Sequence, residues 1–92
     1  MIRSFRSRDT KDLFQDRDVP RFQSFERVAR RKLLLLHRSA SLQDLRVPPG
    51  NRLEALKGKR KGEHSIRVND QWRICFVWRE ADAFEVEIVD YH

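Results

Sequence analysis

The sequence predicts an α+β fold: two helices from the N-terminal half packed on one face of a small, antiparallel-dominated β-sheet. Two periodicities carry that expectation. Phe22, Phe25, Ala29, Leu33 and Leu36 recur at spacings of three and four, which is one face of a helix. From His64 onward, apolar residues recur at every second position, as half-buried strands require. The 92 residues suffice for a single domain, 1–92, and no more. Leu, Ile, Val and Phe supply 26 of them, enough to build a core. A chain this short encloses no large cofactor, so function is expected on a surface or in a shallow cleft.

In chain order, residues 1–7 are candidates for a first strand. Asp9 is placed to cap a short helix over about 10–15, since its carboxylate can accept orphan N–H groups. Asp16 and Asp18 follow as loop residues, and Pro20 suits the first turn of the second helix. That helix buries the Phe22–Leu36 stripe, while Arg27, Arg30, Arg31 and Arg38 lie largely off it. Ser41 can cap a short turn running to Arg46, and Pro48-Pro49-Gly50 ends helical structure.

From Leu53 the pattern becomes strand. Gly58 and Gly62 bracket a basic turn of Lys59, Arg60 and Lys61. His64, Ile66 and Val68 form one strand, with His64 expected at a buried or half-buried core position. After the Asn69-Asp70 turn come Trp72, Ile74, Phe76 and Trp78, which are core residues before they are stacking platforms. A turn over Glu80 to Ala83 leads to Phe84, Val86 and Ile88. Pairing Val68 with Trp72 sets Ile66 opposite Ile74 and Arg67 opposite Arg73. A similar register sets Trp78 opposite Phe84 and Ile74 opposite Ile88. One sheet face then meets the helices, and the other carries Arg67, Arg73 and Tyr91. A slip of one residue would reverse the faces.

Net charge is +6, and arginine provides 15 of the 20 basic residues. Its planar fork of donors suits phosphate, so a polyanion is one reading of the bias and a solvated basic surface is the other. The charge sits in the first three quarters of the chain: residues 74–92 carry one basic and five acidic side chains. Cys75 is the lone cysteine, which fits a reducing, cytoplasmic setting. No secretory leader and no membrane-spanning run is readable. The three histidines and one cysteine have no metal-ligand spacing, so no metal or other cofactor is expected.

Three stretches together are distinctive. They are Pro48-Pro49-Gly50-Asn51-Arg52-Leu53-Glu54-Ala55-Leu56-Lys57-Gly58, then Ser65-Ile66-Arg67-Val68-Asn69-Asp70-Gln71-Trp72-Arg73-Ile74-Cys75-Phe76, and the terminal Val89-Asp90-Tyr91-His92. With the opening Met1-Ile2-Arg3-Ser4-Phe5 and Asp12-Leu13-Phe14, they resemble the HigB family of toxins, within the RelE superfamily. The resemblance runs the length of the chain. It implies a RelE-like fold and a ribosome-dependent mRNA endonuclease (an mRNA interferase) acting in the decoding A site of the small ribosomal subunit. It also implies a helix-turn-helix antitoxin of HigA type that silences the toxin. DNA would be met only indirectly, through the antitoxin complex, and no membrane is involved.

Metal-independent RNA cleavage uses the 2′-hydroxyl as nucleophile. It needs a base for that proton, an acid for the leaving 5′-oxygen, and positive charge at the phosphate. The resemblance carries the terminal Asp-Tyr-His over to Asp90, Tyr91 and His92. An imidazole titrates near pH ~6.5, so His92 can serve as acid or base. Asp90 can orient it, or simply pair with a nearby arginine. Tyr91 can stack on a base or position a phosphate. Arg73 and Arg67 are the phosphate candidates; the alternative for each is an ion pair with Glu85 or Glu87. Glu54 is the departure, because some HigB relatives place an active-site histidine there. A glutamate can act as base, but it is a poor acid at its ordinary pKa. Lys57, Lys59, Arg60 and Lys61, with Arg52, would suit ribosomal RNA phosphates. Two other readings stay open: a catalytically weak RNA- or ribosome-binding module, and a co-repressor partner of a helix-turn-helix protein.

Overall fold

The computed structural model describes residues 1–91; His92 lies outside them, and with it the acid–base expectation placed there. Helix α1 (Arg8–Phe14) precedes a 3-10 segment (Pro20–Phe25) that runs directly into helix α2 (Glu26–Arg38). Two short 3-10 turns, Leu42–Arg46 and Pro49–Asn51, lead to strands β1 (Glu54–Ala55), β2 (Glu63–Arg67), β3 (Trp72–Arg79) and β4 (Asp82–Asp90). The sheet order is β1-β2-β3-β4, every pair antiparallel.

The apolar stripe is buried as the spacing predicts, although its first two members, Phe22 and Phe25, lie in the 3-10 segment before α2 and not in one continuous α-helix. Phe22, Phe25, Ala29, Leu33 and Leu36 are all buried, together with Leu13 of α1 and Leu45. They pack against Ile66, Val68, Ile74, Phe76, Val86 and Ile88 of the sheet side. Trp72 is a core residue as well, with its ring 5.6 Å from Phe22 and 5.0 Å from Phe25. His64 sits on the same face, half-buried and stacked on Phe76 at 6.3 Å. Ser41 caps the Leu42–Arg46 turn reciprocally with Asp44.

Four expectations need correction. Residues 1–7 do not make a strand; they form two isolated parallel bridges to β4, Ile2 with Ala83 and Phe5 with Val86. Helix α1 is capped by Ser7, whose hydroxyl accepts from the Thr10 amide at 3.0 Å, and not by Asp9. Asp9 falls inside the first turn, where a carboxylate still faces the positive end of the helix, and it pairs with Arg21 at 3.0 Å. The strand expected from Leu53 shrinks to two residues. The fourth concerns β3 and β4. Ile66–Ile74, Arg67–Arg73 and Ile74–Ile88 pair as expected, but Trp78 meets Ala83, and Phe84 meets Val77.

A β-bulge causes that shift. Between Cys75–Glu87 and Val77–Phe84 the register slips by one, so Glu85 and Val86 together face Phe76. Glu85 takes φ 54°, the left-handed conformation of the extra residue. The slip turns Ala83 inward and Phe84 outward, where Arg79 lies over its ring at 4.5 Å. The turn is also tighter than expected. Arg79 pairs with Asp82, leaving only Glu80 and Ala81, both at positive φ, as a two-residue hairpin connection.

Candidate active cleft

The sheet face away from the helices is not bare. At one end, Arg6 and Arg60 form ion pairs with Glu63 and Glu87. This charged layer covers Cys75, a fully buried thiol whose pKa burial pushes up to about 11. Arg60 is thereby committed to Glu63 and Glu87, each at 3.2 Å. Lys57, Lys59 and Lys61 stand exposed around the same turn, outside the cleft at the other end of the face.

At the other end the face opens into a cleft lined by Arg52, Glu54, Arg67, Asn69, Asp70, Arg73 and Tyr91. Strand β1 supplies Glu54, β2 supplies Arg67, β3 supplies Arg73, and the chain just past β4 supplies Tyr91. The antiparallel register brings them together: Glu54 is the Cα partner of Ser65, and Arg67 that of Arg73. Five of the residues singled out in the sequence therefore share one cleft.

Arg73 is its most constrained member. It is 9% exposed, and its guanidinium is gripped on one side. Nε donates to Ser65 Oγ at 2.7 Å, and Nη2 donates to the carbonyls of Arg52 (2.6 Å) and Ser65 (3.3 Å). Nη1 has no protein partner among the described residues, so part of the donor fork is available to an anion. The Tyr91 ring lies 5.8 Å from the Arg73 guanidinium carbon and is 40% exposed, so it roofs the cation while still facing solvent.

Arg67 takes neither of the glutamate partners considered from sequence; it pairs with the fully exposed Asp70 across the β2–β3 turn. Three arginines (Arg52, Arg67 and Arg73) against two carboxylates (Glu54 and Asp70) leave excess positive charge in the cleft. At the rim, Asn69 Oδ1 accepts from the amides of Gln71 and Trp72, each at 2.8 Å, and fixes the turn. Gln71 in turn donates its side-chain amide to Asp90 at 3.0 Å, and its carbonyl accepts from the Tyr91 amide at 2.6 Å. The end of β4 is thus held against the β2–β3 turn. Glu54 is exposed at the opposite wall.

Sequence reasoning missed Lys32 and the role of Asn51. Lys32 projects from α2 and donates to Asn51 Oδ1. Its pKa is lowered by burial first, then by the charges of Arg31 and Arg67, so the helix adds a cation close to the cleft. Asn51 is fully buried. Its signal, a polar amide directly after Pro-Pro-Gly, was visible but had no partner until the fold supplied one. Among the described residues no group of three or more His, Cys, Asp or Glu side chains could hold a metal ion.

Comparison with known proteins places the chain. Residues 3–92 match the family described as RelE-like toxin of type II toxin-antitoxin system HigB. Toxin HigB-1 of Vibrio cholerae is 48% identical over 60 residues, which is 65% of this chain and 63% of that protein. Endoribonuclease HigB of Proteus vulgaris is 44% identical over 41 residues, 45% of each. These matches span less than two thirds of the relatives' own length. Among solved structures, a mutant of YafQ from E. coli aligns with 98% of this chain and 91% of its own. Its TM-score is 0.65 and its sequence identity 15%. A chain of the YoeB–YefM complex from Staphylococcus aureus aligns over 100% and 98%, with TM-score 0.53 and 16% identity. At such identities the likeness attests to the fold, and the α+β architecture agrees with it. The family match covers nearly the whole sequence, and on that ground the chain belongs to the HigB-like family of RelE-like toxins of type II toxin–antitoxin systems.

Proposed function

We propose that this protein is a ribosome-dependent mRNA endonuclease of the cytoplasm, the toxin of its module, silenced by a HigA-like helix-turn-helix antitoxin. The observation that carries the reading is the gathering of Arg52, Glu54, Arg67, Arg73 and Tyr91 in one solvent-open cleft beside the end of β4. Membership of the HigB-like family supports it, and so does the name Endoribonuclease HigB borne by one relative.

In the proposed reaction, Glu54 takes the proton from a 2′-hydroxyl. That oxygen attacks the adjacent phosphorus, and the bond from phosphorus to the 5′-oxygen breaks. His92 gives its proton to the departing oxygen. The products are a 2′,3′-cyclic phosphate and a 5′-hydroxyl. Arg73, backed by Arg67, holds the phosphate as negative charge grows on it; being already bonded to fixed acceptors, it needs little reorganisation. Tyr91 stacks on or positions the nucleotide, and Asp90 orients His92. Lys57, Lys59 and Lys61, outside the cleft, would meet ribosomal RNA.

The test is mRNA end-mapping in a purified translation system, with protein added with and without ribosomes. Cuts within codons of translated message only, bearing 5′-hydroxyl ends, are expected. Cuts on naked RNA would mean a nuclease with another route to substrate. No cuts from folded protein would favour the binding-module reading, which the glutamate at position 54 keeps open.

A further inference from the structure

Arg73 owes its orientation to three acceptor contacts, two on Ser65 and one on the carbonyl of Arg52. The Ser65 acceptors belong to the neighbouring strand and come with the sheet. The Arg52 carbonyl does not: it sits at the end of an irregular loop. Arg52 is also left-handed, at φ 44° and ψ 57°, a conformation that a residue with a Cβ keeps only when its surroundings enforce it.

The Arg52 amide closes its turn on the Pro49 carbonyl at 3.1 Å, and the side chain of Asn51, the residue before it, anchors that turn to its surroundings. The preceding run Val47-Pro48-Pro49 is poor in backbone donors, because proline has no N–H. The Asn51 side-chain amide takes over, donating to the carbonyls of Leu45 (3.2 Å) and Val47 (3.3 Å). Its own oxygen accepts from Lys32 of α2. One fully buried amide thus ties the Leu42–Arg46 turn, the proline loop and helix α2 together, immediately before the residue whose carbonyl holds Arg73. A buried amide stripped of its partners is costly, so the arrangement is all-or-none.

We infer that Asn51, anchored by Lys32, is a positioning residue: it fixes the Arg52 carbonyl and through it aims the free side of the Arg73 guanidinium into the cleft. The inference deepens the endonuclease reading and rests on it for the chemistry, but the positioning itself can be observed without any cleavage.

The experiment uses the full chain and two variants, Asn51→Ala and Lys32→Met. Lys32→Met keeps the lysine stem and a half-buried position, so it carries the test if Asn51→Ala fails to fold. The first readout is the side-chain NMR signal of Arg73. In the wild type its Nη2 protons should exchange slowly and its guanidinium rotate slowly. In either folded variant rotation should quicken while the Nε–H, still on Ser65, stays protected. The second readout is single-turnover cleavage of message on ribosomes. The rate should fall by about 100-fold, the scale of a small misplacement of a reacting group, with the half-saturating ribosome concentration within about threefold of wild type. Unchanged Arg73 signals in a folded variant would overturn the inference. So would freed signals with an unchanged cleavage rate. If the wild type cuts nothing yet the variants free Arg73, the endonuclease reading fails and the positioning stands.

Discussion

Glu54 and Arg73 face the same cleft with unequal support. Arg73 is locked by three acceptor contacts, while Glu54 stands on a two-residue edge strand, exposed. If Glu54 is the base, Glu54→Gln should lower single-turnover cleavage by about 100-fold, within the usual range for removing a general base. Glu54→His should retain activity and move its pH optimum upward, toward the imidazole range. A full pH–rate profile on both variants checks this. Cys75 gives a second residue-scale expectation. Its thiol is raised from 9.0 to about 11 by burial, so it stays protonated in the fold at a pH where the unfolded chain has ionised. Between those values the unfolded state binds fewer protons, so stability falls as pH rises. Chemical denaturation at several pH values should show that decline, and Cys75→Ser should flatten it. The pairing of Arg67 with Arg73 was legible, because strand register follows from alternation, whereas Glu54 came only with the resemblance and its place beside them only with the fold. The grip on Arg73 was not legible, because one of its acceptors is a backbone carbonyl whose position depends on a loop.

Elements show where local pattern suffices and where it fails. The α2 stripe was readable because helical periodicity and burial coincide; Leu33, at 0% exposure, is its centre. Leu33→Ala should cost about 3 kcal/mol in urea unfolding, the range for deleting a large aliphatic side chain from a packed core. The β3–β4 hairpin was half readable. Its strands alternate, but a bulge is invisible to alternation: Phe84 and Val86 look equivalent until the left-handed Glu85 turns one of them out. The same hairpin carries a removable strain. Glu80 and Ala81 both take positive φ, where asparagine and glycine are the usual residues. Ala81→Gly should therefore raise stability by about 1 kcal/mol, relief of the left-handed penalty outweighing the entropy of glycine. A thermal melt of the single variant decides it.

The whole molecule is strongly basic and unevenly so. Arg67 and Arg73 are direct cross-strand partners, an unfavourable juxtaposition that an anion between them would relieve. Arg52 lines the same cleft, and Lys32, which feels the charge of Arg67, adds a further cation. Association with ribosomes should thus weaken steeply between about 50 and 200 mM salt, as phosphate contacts do, and log affinity should fall linearly with log salt. Replacing Lys57, Lys59 and Lys61 with Gln should make that slope shallower while sparing the single-turnover rate at saturation. Filter binding over a salt series measures the first, and cleavage at excess ribosome measures the second. Net charge was readable at once from the sequence; its division into a paired layer over Cys75 and an open cleft was not, because that depends on which carboxylates the register brings to Arg6 and Arg60.

The stitching of residues 1–6 to β4 has a consequence for the order of assembly. The four strands follow one another in sequence as in space, so each hairpin can close as soon as it exists. The bonds from Arg3 and Arg6 to the carbonyls of Ala83 and Val86, and from the Ala83 and Val86 amides back to Met1 and Ser4, cross some 80 positions. On a growing chain, the opening segment must wait for the strand that ends beside Tyr91. Until it docks, the outer edge of β4 is an open template for other strands. Synthesis therefore completes the cleft wall and seals the sheet edge in the same late event, and a chain halted before β4 has neither.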